Sequence, residues 1–267
     1  MKNNTLRLIK PIFLVSIFIF VHAGQLQAAL VVNPARPITE IVTVNPIIVS
    51  DNDGGNTATF FGDASQQTAI EGFIDTIWAQ AGIDVDFLDP TSWNNTFANW
   101  GSGGPPDNDG KTRPTSDLNT IIHDADAAGI VHPNPSVINM FFVRIPAGFS
   151  LHSENSAAGL AKLDGNGITQ FVGSNLLSFT AGQEVIASVV AHEIGHNLGL
   201  PHITESENLM QSSGSSDPGE RLNADQINTA LSSPLSVPVS VPVPAALWLF
   251  ASGLFVLIRF RSRERLI

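Results

Sequence analysis

The stretch VVAHEIGHNLGLPH, residues 189–202, decides how this chain is read. On a helix, side chains four residues apart lie one turn apart on the same face, so His192 and His196 aim two imidazoles at one place. Glu193 is one residue on, about 100° around the helix, which sets its carboxylate beside that place and not on it. Gly199 follows, and glycine takes the left-handed conformation that ends a helix and turns the chain back. Pro201 bars the helix from resuming. The turn can deliver His202 as a third nitrogen. Three neutral nitrogens and one open position are what a catalytic zinc has and a closed structural zinc lacks. The chain contains no cysteine to compete for the metal. Average residue usage puts a chance match to the whole pattern at on the order of one in a hundred thousand, so the spacing is read as chemistry.

Written as HExxHxxGxxH, the pattern resembles that of the metzincin metallopeptidases, matched here at His192, Glu193, His196, Gly199 and His202. That family places a methionine in a tight turn beneath the metal, and "ENLM" offers Met210, eight residues after the last histidine. "IDTIWAQAGIDVDFL" resembles the first helix and following strand of such domains, and "RLNADQINTAL" the last helix, so the likeness spans roughly residues 38–232. The resemblance implies an α/β fold of the zincin-like α+β kind: a mixed twisted sheet, an active-site helix and a small C-terminal subdomain. It also implies one catalytic zinc on His192, His196 and His202, with Gly199 and Met210 as structural support. The activity implied is that of an endopeptidase, in which Glu193 takes a proton from a water polarised by the zinc and passes it to the leaving amine. By the same analogy the strand near 158–163 is the sheet edge above the cleft, where a peptide substrate pairs as an added strand.

The chain departs from several branches of that family. Ile203, after the third histidine, marks no subgroup. With no tyrosine, the tyrosine ligand of the astacin and serralysin groups is absent, and without cysteine the thiol latency switch of the matrixins is impossible. An inhibitory prosegment would have to lie between 29 and about 50. The competing reading is a noncatalytic surface or matrix protein that keeps zinc for structure. The retained Glu193 speaks against it, because a structural site has no need of that carboxylate.

Working outward from the motif, "TAGQ" offers Thr180 as the cap of its helix, with Gln183 three residues on. "AGLAKL" and "ITQFVG" flank "DGNG" as a hairpin, and "VINMFFVRI", 137–145, is the most apolar and central strand. Ile70, Phe73, Ile74, Ile77, Trp78 and Ala81 recur at helical steps, giving an amphipathic helix over 64–81 capped by Asp63 or Ser65 and ended by Gly82. "ITEIVTVNPIIV" reads as one or two strands and "IDVDFL" as another. Residues 90–114, rich in Gly, Pro, Asn and Asp, read as a long surface loop, followed by a helix over roughly 116–128 with Gly129 as its stop. Asn223 caps a short terminal helix. His123, His132 and His152 share no ligand spacing.

Both ends of the chain carry address-like patterns. Lys2, Arg7 and Lys10, an apolar run from Pro11 to Ala23 and a small-residue exit read as a secretory signal peptide, residues 1–28, cut after Ala28. The domain then runs over 29–232, and 233–244 is an extended Pro/Ser/Val linker. Ala245–Ile258 is an uncharged apolar transmembrane or sorting helix, shorter than the roughly 20 residues a span usually needs. The Arg-rich tail, 259–267, is the end that stays cytoplasmic. Together these are similar to the PEP-CTERM sorting signals of Gram-negative bacteria, with Val-Pro-Val-Pro where the name-giving motif has a glutamate. That resemblance implies export through the inner membrane, a membrane-engaged stage and an exosortase-type processing partner.

Between the ends lie 6 basic and 23 acidic residues, a surface that repels phosphates and argues against nucleic acid. The turns "DNDGG", "DNDG" and "DGNG" admit Ca2+ as a second ion. None has the EF-hand order of ligands, and tight turns explain them better.

Overall fold

The structure is a computed structural model and describes residues 30–102, 104, 114–146, 153–211 and 219–239. Its spine is one strand, β1 (Glu40–Ser50), with all its strand partners arranged along its two sides. On one side it pairs in parallel first with β2 (Ile83–Phe87) and then with β3 (Thr91–Asn94). Pro46 stands at the changeover between them, after Val44 has paired with Phe87 and before Ile47 meets Thr91, where a missing N–H leaves no ladder bond unmade. On the other side β1 pairs in parallel with β4 (Val137–Phe142), and β4 with β6 (Ile168–Val172). The antiparallel β5 (Ala157–Ala161) closes that edge, giving the order β2-β1-β4-β6-β5.

Strand alternation sends neighbouring side chains to opposite faces. Ile138, Met140 and Phe142 of β4 and Val42 and Val44 of β1 join a core with α1 (Ala64–Ala79) and α4 (Thr180–Asn197). Phe141, Ile47 and Val49 point the other way into a second core with α2 (Thr96–Trp100) and α3 (Pro114–Ala127). The result is a mixed α/β fold with helices on both faces of the sheet.

Most elements fall where the pattern put them. Asp63 caps α1 with a reciprocal Gln66 bond, and Ile70, Ile74, Ile77 and Trp78 are buried along the expected stripe. Three expectations are corrected. The supposed loop 90–114 contains β3 and α2, because β1 offers a free edge beyond β2 and Trp93 and Trp100 bury themselves there, with Trp100 Nε1 donating to Asp51. Thr180 is not the cap of α4. A 3-10 turn (Ser174–Ser178) runs straight into the helix, Phe179 takes the cap position, and the Gln183 side chain instead donates to the Leu177 carbonyl. The expected linker is packed on the domain as far as described: Leu235 is buried and β7 (Val237–Pro238) pairs antiparallel with Glu40 and Ile41. The rest of the linker and the segments expected to be a signal peptide, an apolar C-terminal helix and an arginine-rich tail lie outside the described residues, among which no helix is long and apolar enough to cross a membrane.

Asp75 of α1 accepts the Val85 N–H at 3.1 Å. Burial, with Asp84 and Asp86 nearby, holds its carboxyl above the usual range. A carboxyl that keeps its proton longer when folded lowers stability as pH climbs from the ordinary aspartate range through the raised value. Asp75→Asn keeps the acceptor and removes the charge. Its urea midpoint should equal or exceed the parent's at pH 7, with the advantage gone at pH 3.

Candidate metal centre and active site

α4 carries His192 and His196 one turn apart, and its end carries the chain to the third histidine. Leu198 is the last helical cap residue, and Gly199 follows with φ 91°. Leu200 N–H donates to Gly195 O at 2.9 Å and Gly199 N–H to His196 O at 3.0 Å, the paired bonds of a Schellman end. A Cβ at 199 would touch only Thr229 and Asp164 at 3.5 and 3.8 Å, so the backbone angle, not space, demands glycine. Gly199→Ala should cost about 1–2 kcal/mol in denaturant unfolding of the metal-free protein, and Gly199→Asn less.

This turn brings the three rings to one focus. His192 Nε2 and His196 Nε2 each lie 3.1 Å from His202 Nε2. The opposite nitrogens are committed: His192 Nδ1 donates to the Leu209 carbonyl at 2.6 Å, and His196 Nδ1 to the Leu200 carbonyl at 2.7 Å. A carbonyl can only accept, so the proton of each neutral ring sits on Nδ1 and the Nε2 lone pair faces the focus. Burial, reinforced by the neighbouring histidines, lowers His192 to about 4 and His196 below its ordinary value, keeping both neutral. His202 Nε2 can donate to only one of its two neighbours. At least one 3.1 Å contact is therefore lone pair against lone pair when all three rings are neutral, and a cation at the focus relieves it. This donor set fits zinc. Among the described residues no fourth histidine, cysteine or carboxylate joins the group.

Glu193 is 6% exposed and accepts the Ala161 N–H of β5 with its carboxylate, while its Oε2 has no partner. Burial pushes it up to about 8. Met210 is wholly buried beneath the helix, and a Cβ at Gly195 would come within 2.6 Å of its Sδ.

Several supports had no signature in the motif. Asn208 Oδ1 accepts the Met210 N–H, and its amide pairs reciprocally with that of Gln226, tying the methionine turn to α5 (Ala224–Leu231). The Asn-x-x-Gln spacing at Asn223–Gln226 was the available clue. Asn197 donates to Lys162 O and accepts from Gly167 N–H, clamping the β5–β6 hairpin to the end of α4. The Leu200 and Leu209 carbonyls leave no trace in side-chain types.

The remaining candidates stay apart. His123 is exposed beside Asp124, the His132 N–H donates to Asn139 within an asparagine network, and His152 lies outside the described residues. In the first acidic turn Asp51 accepts from the Asn56, Asn99 and Trp100 N–H groups, donors a calcium ion would not supply, and Asp164 and Asn166 build the hairpin turn. "DNDG" lies outside the described residues.

Three histidines at one focus, a buried glutamate beside them and a buried methionine below make a site that resembles the metzincin pattern. The Matrixin family model matches residues 114–231, which contain all of these residues. No curated protein matches the chain. Among solved structures, metalloproteinase-II from Bacteroides fragilis aligns at 15% identity and a TM-score of 0.43, over 75% of this chain and 58% of that one. The chain thus spans little more than half the length of that protein. Archaemetzincins from Archaeoglobus fulgidus and Methanopyrus kandleri align at 12% and 13% identity, with TM-scores of 0.41 and 0.42. They cover 71% and 72% of this chain and 99% and 95% of their own.

Proposed function

We propose that this protein is an exported zinc-dependent endopeptidase. The observation that carries the reading is the convergence of three Nε2 atoms, two of them, on His192 and His196, freed by Nδ1 protons held outward on carbonyls. His192, His196 and His202 would hold the ion, which when bound supplies a Lewis acid that polarises a water and the scissile carbonyl. The chain does the rest. Glu193, held by Ala161 N–H, takes the proton from the attacking water and hands it to the leaving amine. The outer edge of β5, beyond its pairing with β6, is free of any strand among the described residues and suits an extended peptide laid on as a further strand. His202 is exposed, so the focus is reached from solvent.

Azocasein hydrolysis that disappears with a chelator and returns with added Zn2+ is the expected result. Zinc-loaded protein that binds one equivalent yet cleaves nothing would favour the noncatalytic reading. Protein or peptide substrates are the partners this activity requires.

The terminal patterns support export through the inner membrane of a Gram-negative bacterium, with the C-terminal helix engaging the membrane and an exosortase-type enzyme as processing partner. N-terminal sequencing of the exported form should begin at Ala29, and its intact mass should show whether the tail is removed.

A further inference from the structure

We infer that Gly159 is a positioning residue for Glu193: by carrying no side chain, it leaves the slot between β5 and Gln170 in which the glutamate is held. The inference rests on the reading of Glu193 as the proton-transfer group.

Glycine weakens a strand interior, and its presence there points either to special backbone or to close approach. Gly159 is absent from the residues with positive φ, so its backbone is open to any residue. Close approach remains. A Cβ built at 159 would lie 2.4 Å from Glu193 Cγ and 2.9 Å from both Glu193 Cδ and Gln170 Oε1. Neither neighbour gives way freely. Gln170 is fully buried, and its Nε2 donates to the Ala158 carbonyl at 3.0 Å and the Phe171 carbonyl at 2.9 Å, which fixes the amide. The Glu193 Cγ is in the middle of a buried side chain whose carboxylate is already bonded to Ala161 N–H. Gly159 and Ala161, two residues apart, share the face of β5 turned toward α4. One residue admits the side chain and the other holds its end. Every other position of β5 carries a Cβ.

The test combines a metal-free thermal cycle with a zinc-loaded assay. Wild type, Gly159→Ala, Glu193→Ala and the double variant are melted after chelator treatment. Overpacking should lower the midpoint of Gly159→Ala by roughly 3–10 °C. In the Glu193→Ala background the same change should lower it by less than about half as much, since Glu193 Cγ and Cδ are gone and only the Gln170 Oε1 contact remains. An equal drop in both backgrounds overturns the inference. Should Gly159→Ala fail to fold, recovery of folding in the double variant supports the inference and continued failure overturns it.

In the second arm, zinc-loaded Gly159→Ala should bind one equivalent of zinc and show kcat on azocasein lowered about 10–100-fold with KM within about twofold, the signature of a displaced reacting group. An unchanged kcat overturns the positioning role. A wild type that cleaves nothing, or a Glu193→Gln variant that keeps full activity, removes the proton-transfer reading instead. The thermal cycle then still decides whether Gly159 makes room for Glu193.

Discussion

Glu193→Gln is expected to keep one equivalent of zinc and to lose azocasein turnover by about 10²–10⁴-fold, the range that a positioned acid–base group supplies. Glutamine has the same shape, and its Oε1 can still accept the Ala161 N–H that holds the native carboxylate. The imidazoles do not depend on it, since the outer nitrogens of His192 and His196 bond to the Leu209 and Leu200 carbonyls and Glu193 is no member of the cluster. What the amide cannot do is take up a proton. Metal content by atomic spectrometry, read beside kcat, separates lost chemistry from lost metal. A variant with full zinc and full turnover would remove Glu193 from the mechanism.

His202→Ala should be the more damaging change for the metal. Its Nε2 is the atom that lies 3.1 Å from both other Nε2 atoms, so without it the focus has two donors on one helix face and nothing opposite. Zinc affinity should fall by more than about 100-fold, beyond the range seen when only an outer partner of a ligand is lost. Turnover should fall with it. The fold should persist, because His202 is exposed while the Schellman end and the methionine turn are built from other residues. Competition against a chromogenic chelator measures the affinity, and circular dichroism checks the fold. Unaltered zinc affinity would mean that the third ligand is some other group.

The motif told its own geometry because each part of it is local. A 3.6-residue period places His192 and His196 together, and a glycine past the last turn reverses the chain within three residues. The stripe of α1, the alternation of β2 and the apolar run of β4 are likewise set within a few residues of one another. Composition misled where distant partners intervene. The polar run after residue 90 forms β3 and α2 only because β1 outlasts β2, and Thr180 loses the cap because a 3-10 turn already occupies the chain before it.

Of this protein the sequence alone determined the trio of histidines, the glutamate beside it, the turning glycine and the alternation of strands and helices, all encoded in spacings shorter than one element. Tertiary structure alone decided which carbonyls orient the imidazoles, that Asn208 and Gln226 secure the methionine turn, and that Gly159 and Gln170 shape the space around Glu193. Those contacts join residues up to 34 positions apart through backbone atoms, a pair of side-chain amides and an absent side chain. None of these leaves a periodicity to read, so they come into being only when the sheet and helix pack.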